Sequence, residues 1–114
     1  SLAAYQQEMA AVTLSGISAK VVPDGVYEGS CDVGYIEARV RVTVADGTMT
    51  SIDLLEHRNE LGAAGEGVVN RMLDAQTTDV DSISGATNSS RVIRRAVENA
   101  LNGAKLGQIP PSGS

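Results

Sequence analysis

Between Tyr35 and Ala45 the chain alternates without a break: Ile36, Ala38, Val40, Val42 and Val44 interleave with Tyr35, Glu37, Arg39, Arg41 and Thr43. Successive side chains of a strand leave from opposite faces, so this pattern is satisfied by a strand with one face in a core and the other in water. Asp46-Gly47 follows, a pair suited to the positive φ angles of a two-residue hairpin turn. Residues Met49 to Glu56 then return as a second strand with Ile52 and Leu54 on one side. Val26 to Asp32 supplies a further strand ahead of these, introduced by the turn residues Pro23-Asp24-Gly25. The three make an antiparallel meander with one solvated face.

Helical spacing flanks the meander on both sides. Leu2, Tyr5, Met9 and Val12 recur at three- and four-residue intervals over Ser1 to about Leu14, and Ser15 to Pro23 is a connector. Beyond His57 the period lengthens. Leu61, Val68 and Met72, with the adjoining Val69 and Leu73, follow helical spacing, and because Gly62, Gly65 and Gly67 weaken the early part, the firm helix is expected over Gly67 to Ala75. Val80 to Ser84 is expected to be a short extended piece. Val92, Ile93, Ala96, Val97, Ala100 and Leu101 then define an amphipathic helix, with Gly103 where a stop belongs. The expectation is a single α+β domain: a small, mainly antiparallel sheet with two helices packed on it, plus an N-terminal helix. Residues 1–23 form the helix and connector, 24–103 the domain proper, and 104–114 a flexible tail.

Composition narrows the function. A chain of 114 residues suffices for one core. With no Trp, no Phe and three tyrosines, aliphatic residues must supply that core. The net charge of −5 argues against nucleic acid, whose binding rests on Lys and Arg neutralising phosphates, and Arg91, Arg94 and Arg95 are only a small cluster on one helix. Cys31 stands alone, so no internal disulfide or multi-thiolate metal site can form; it reads as a small buried thiol. No segment has the length of apolar residues that spans a membrane. No signal-peptide pattern is present, but the chain opens on Ser1 in place of Met, so compartment is left open.

One stretch carries more hydroxyls than a helix start requires: Asp81 to Ser90, DSISGATNSS. A helix N-terminus presents free N–H groups and the positive end of the dipole. Gly85 and Ala86 leave room for an anion, and Thr87, Ser89 and Ser90 add hydroxyls, so the loop has the chemistry of a phosphate site. The same residues have an ordinary reading, in which Asn88 or Ser89 caps the helix and the other hydroxyls are solvated.

The run Asp81-Ser82-Ile83-Ser84-Gly85-Ala86-Thr87-Asn88-Ser89-Ser90 resembles the signature of the FMN-binding domain family: Asp, two residues, Ser or Thr, then Gly-Ala-Thr and further hydroxyls. The resemblance extends through Asp-Gly-Val-Tyr-Glu-Gly at 24–29, Val-Thr-Val-Ala-Asp-Gly at 42–47, Leu-Glu-His at 55–57 and Gln76 to Asp81, covering roughly 24–102. It implies FMN as cofactor, carried on Thr87 through a phosphoester bond that a separate flavin transferase installs from FAD with a divalent metal. Ser84, Gly85, Ala86, Asn88, Ser89 and Ser90 would then border the phosphate, and Asp81 would brace the loop or be read by the transferase. His57, at the end of the third strand, is a further candidate for the flavin or its phosphate, although a lone His there also reads as a solvated surface residue. Tyr27 and Tyr35 each offer a ring for stacking, with ordinary packing the blander reading. In the respiratory-complex members, such as the flavin subunit of sodium-translocating NADH:quinone reductase, the His-containing stretch continues into Glu-Thr-Pro-Gly. Here it runs His57-Arg58-Asn59-Glu60-Leu61-Gly62, which resembles the small stand-alone branch of the family.

What the resemblance implies is an electron carrier outside the cytoplasmic membrane, membrane-associated or periplasmic, exchanging electrons with redox partner proteins or a membrane electron-transport complex. The alternative is a module that binds FMN or another phosphorylated ligand reversibly, or an interaction domain. A third reading, an independent flavoenzyme, lacks support, because no acid–base pair or activated nucleophile can be assembled from the sequence and GAAGEG at 62–67 lacks the context of a dinucleotide fingerprint.

Overall fold

The computed structural model describes residues 1–58 and 62–105, without the side chains of residues 57, 62–64 and 105. Its elements run α1 (Leu2–Ala11), β1 (Gly25–Asp32), β2 (Glu37–Ala45), β3 (Thr48–Arg58), α2 (Gly62–Ala75) and α3 (Thr87–Lys105). The strands form one antiparallel sheet in the order β1-β2-β3. This is the α+β arrangement expected from the alternation and the helical periods.

The hairpin signal worked as its chemistry dictates. Asp46 and Gly47 have φ of 52° and 72°, both left-handed, as a type I′ turn requires. The Asp46 N–H is held by Asp24 Oδ1 at 2.8 Å, which ties the hairpin to the turn before β1. Two register shifts, between Arg39 and Val40 and between Thr43 and Val44, mark bulges in β3. They explain why the apolar residues of β3 break strict alternation: Met49, Ile52 and Leu54 pair with Val44, Val42 and Val40 only because Thr50 and Leu55 are extra residues.

The core lies on one sheet face. Ala38, Val40, Val42 and Val44 are buried there beneath Val92, Ile93, Ala96, Val97, Ala100 and Leu101 of α3 and Val68 and Met72 of α2. Tyr27 is the one fully buried tyrosine in this layer, and its hydroxyl donates to the Pro23 carbonyl over 2.7 Å. At Gly29 the helix lies directly on β1. A Cβ there would meet the Ala96 carbonyl oxygen at 2.2 Å and the Ala100 nitrogen at 2.4 Å, so glycine is what lets α3 approach so closely. The opposite face is wet and charged: Arg39 bridges Glu28 (3.2 Å) and Glu56 (3.0 Å), and Arg41 also reaches Glu28 (3.1 Å).

Four expectations need correction. Helix α1 ends at Ala11, and of its expected apolar face Met9 is buried whereas Leu2 is 60% exposed. Helix α2 begins at Gly62, not Gly67, because packing favours its glycines: Gly65 is buried, and a Cβ on Gly67 would lie 3.3 Å from Ile83 Cδ1. Val80 to Ser84 joins no sheet. Helix α3 continues through Gly103 to Lys105, since Ala104 extends the buried stripe by another turn. Leu61 and residues 106–114 of the expected tail lie outside the described residues.

Helix α2 ends with Gln76 in the left-handed region (φ 56°), its N–H returning to the Met72 carbonyl. A non-glycine there is strained. The Gln76 amide offsets this by pairing with both backbone groups of Met49, accepting from its N–H at 2.8 Å and donating to its carbonyl at 2.9 Å. One side chain thereby ties the end of α2 to β3.

Candidate functional site

The loop before α3 is built by its own hydrogen bonds. The Ala86 N–H reaches the Ile83 carbonyl at 2.9 Å, closing a turn with Gly85 at its third position and φ of 80°. Type II turns require a positive φ there, which makes glycine the fitting residue. Ser90 Oγ accepts from the Ile83 N–H at 3.0 Å, pinning the turn back onto the helix. From α2, Arg71 Nη1 donates to the carbonyls of Asp81 (3.0 Å) and Ser82 (3.1 Å).

This frame divides the expected site residues into two sets. Ser84, Gly85, Thr87 and Asn88 are exposed, as is Asp81; Ala86, Ser89 and Ser90 are buried. The expectation that the hydroxyls beyond the cap are solvated fails for Ser89 and Ser90, and the Ser90 hydroxyl is engaged within the loop. Asp81 meets Arg71 through its backbone carbonyl, and the residue is exposed. His57 pairs with Ala38 in the sheet register, and its side chain lies outside the described residues.

The exposed set fits a phosphoryl group. Helix α3 opens at Thr87, and the first helical carbonyl, accepting from the Ser90 N–H at 2.9 Å, belongs to Ala86. Alanine has no side-chain oxygen with which to cap the first turn, a position where Ser, Thr, Asp or Asn would contribute about 1 kcal/mol. Neither Asn88 nor Ser89 holds that capping position, since both lie inside the helix. Beside this end, among the described residues and apart from its chain neighbours, nothing lies within 4 Å of where a Gly85 Cβ would be. An exposed hydroxyl, the positive end of a 19-residue helix and open space therefore coincide at Thr87.

The nearby arginines do other work. Arg91 donates to the Val12 carbonyl (2.8 Å), Arg95 to that of Thr13 (3.2 Å) and Arg94 to that of Thr78 (2.7 Å). They fasten the N-terminal connector and the 76–80 segment onto α3.

Sequence reasoning missed the polar cluster behind them. Glu98 is fully buried in α3 and accepts from the N–H groups of Ser15 and Gly16 at 3.0–3.1 Å and from the Thr78 hydroxyl at 2.6 Å. The Ile17 N–H in turn donates to Thr78 Oγ1 at 2.9 Å. The available signal was positional: Glu98 lies between Val97 and Leu101, at the margin of the apolar stripe.

A second missed feature adjoins the loop. Asn88 Nδ2 donates to the Tyr5 hydroxyl at 2.8 Å, and the Tyr5 ring lies 5.1 Å from that of Tyr35 at a tilt of 50°. Both tyrosines line a groove of about 490 Å³ between α1 and the turn that follows β1, with Glu8, Asp32 and Gly34. Tyr35 is 55% exposed, whereas Tyr27 is committed to the core and is no stacking platform. Close by on β1, burial holds the Cys31 thiol above its ordinary pKa; Arg95 opposes this, and Asp32 and Glu8 add to it. Among the described residues no group of three or more His, Cys, Asp or Glu could hold a metal ion.

Comparison with known proteins gives the family and the fold. The FMN-binding domain model matches residues 34–102, which include β2, β3, α2 and the loop with Thr87. A protein of Treponema pallidum (strain Nichols), named only as uncharacterized, is 38% identical over 81 residues, 68% of this chain and 22% of its own length. The chain thus spans about a fifth of that relative. Among solved structures, the CPE2226 protein from Clostridium perfringens superposes with a TM-score of 0.62 at 22% identity, over 77% of this chain and 93% of that one. That likeness is one of fold.

Proposed function

From the premise that the chain belongs to the FMN-binding domain family, with FMN as its cofactor, we propose that it is an electron-carrier domain whose FMN is esterified to Thr87. The observation that carries this reading is the exposed Thr87 hydroxyl at an alanine-preceded, open helix N-terminus. A flavin transferase would use FAD as donor. The bond from Thr87 Oγ to the FMN phosphorus forms, the diphosphate P–O bond breaks, AMP leaves, and the hydroxyl proton passes to a base of the transferase. No electrons change hands in this step. Because Thr87 is exposed at the start of α3, another protein can reach it without unfolding the domain.

Each loop residue then has a task. Gly85 keeps the approach open, the helix end faces the remaining phosphate charge, and Ser90 and Arg71 hold the turn in place. The Asp81 carboxylate, exposed and six residues before Thr87, is available for recognition by the transferase. Bound FMN supplies one- and two-electron chemistry; the protein supplies tethering and orientation. A tether is of most use where a lost cofactor cannot be replaced, which favours a position outside the cytoplasmic membrane and exchange with redox partner proteins or a membrane electron-transport complex.

Intact mass after co-expression with and without a flavin transferase tests the reading. Wild-type protein gains one FMN less one water, mapping to the peptide between Arg71 and Arg91, and Thr87→Ala gains none. Flavin that co-purifies with Thr87→Ala at undiminished stoichiometry overturns the ester and leaves reversible binding at the same loop.

A further inference from the structure

The groove beside the loop has features that the ester alone does not explain. Tyr35 is more than half exposed, with its ring beside that of Tyr5. Its neighbour Tyr5 belongs to α1, a helix outside the 34–102 segment that matches the family. Tyr5 is held toward the loop by Asn88, the residue next to Thr87. The groove these rings border, at about 490 Å³, falls within the few-hundred-Å³ range of small-molecule and cofactor sites.

We infer that the Tyr5–Tyr35 groove seats the isoalloxazine ring of the FMN tethered at Thr87, with Tyr35 as the stacking face and Asn88 and Tyr5 as positioning residues. This rests on the Thr87 reading and adds to it where the ring goes. The chemistry matches the occupant: a flat, electron-poor heteroaromatic ring prefers an electron-rich aromatic face in offset or tilted contact. Asp32 is already occupied, accepting from the Gly34 N–H at 2.8 Å and lying 3.6 Å from Arg58, so it shapes the groove floor. The N-terminal helix thereby acquires a role beyond covering the core: it completes one wall of the cofactor site.

The test compares flavin-loaded wild-type protein with Tyr35→Leu, Tyr35→Phe and Tyr5→Leu, reading flavin emission, visible circular dichroism of the flavin band and intact mass. Stacking on tyrosine quenches flavin emission by electron donation and imposes dichroism on the band. Wild-type protein is expected to emit far less than free FMN. Tyr35→Leu should recover several-fold brighter emission and lose the induced dichroism at full loading. Tyr35→Phe, which keeps the ring but not the donor, should brighten while retaining dichroism, and Tyr5→Leu should weaken both signals by misplacing Tyr35. Full loading with emission equal to free FMN, or emission and dichroism unchanged in Tyr35→Leu, overturns the groove and leaves Thr87 standing. A wild-type chain without the FMN mass increment overturns both. Because Tyr35 is exposed, its variants should fold, and far-ultraviolet dichroism confirms that they do.

Discussion

Helix α3 carries two polar clusters that resemble each other in composition and differ in every physical respect. At its centre, Glu98 is enclosed and its oxygens are consumed by Ser15, Gly16 and Thr78. At its start, Thr87 is exposed, follows an alanine and faces open space beside Gly85. A buried charge survives only when its hydrogen-bonding capacity is filled by the protein, so the Glu98 cluster has nothing left to offer a ligand. The helix start keeps Thr87 and Asn88 at the surface. Enclosure, more than the presence of polar groups, separates the two clusters.

Substitutions at the two clusters should therefore fail in opposite ways. Glu98→Ala strands the N–H groups of Ser15 and Gly16 and should cost about 3 kcal/mol in urea unfolding. Flavin loading per folded molecule should remain as in wild type. Thr87→Ala should instead leave stability within about 0.5 kcal/mol of wild type while abolishing loading. If Glu98→Ala blocks loading of protein shown to be folded, the two clusters are coupled and the contrast breaks down.

Ser90 sharpens the boundary between them, because it is buried yet belongs to the loop. Ser90→Ala removes the acceptor of the Ile83 N–H and should cost about 1 kcal/mol. It should also slow loading, since the turn that presents Thr87 loses its pin. Unchanged loading rates would mean that Arg71 alone suffices to hold the loop.

The smallest effect concerns Cys31 on β1, away from both clusters, whose thiol feels the charges of Arg95, Asp32 and Glu8. Its folded pKa is raised, chiefly by burial, so folding favours the protonated thiol. The contribution is full below the unfolded thiol value of about 8.5 and is lost as pH rises through the folded value. Wild-type stability should thus fall slightly more steeply than that of Cys31→Ala as pH rises above the unfolded thiol value. Parallel pH profiles for the two proteins would show that the thiol is insulated from the unfolding equilibrium.

Much of this molecule was legible in the chain because its signals are local. Alternation over 36–44 determined which face of β2 is buried, Asp46-Gly47 determined the hairpin, and the stripe from Val92 to Leu101 determined the long helix. The resemblance carried by Asp81 to Ser90 pointed to the loop and to Thr87. What the chain alone could not reveal depended on residues distant in sequence. Sixty-odd residues separate Ile17 from Thr78, and more than eighty separate Ser15 from Glu98 and Tyr5 from Asn88; no periodicity or propensity encodes such pairings. Gly67 of α2 illustrates the same limit, because its cost in helix propensity is visible locally while its close packing against Ile83 is not. Which of the crowded hydroxyls is buried, which faces solvent, and that a tyrosine from the first helix stands beside them were decided by tertiary packing, since burial is a property of what a residue meets and not of what it is.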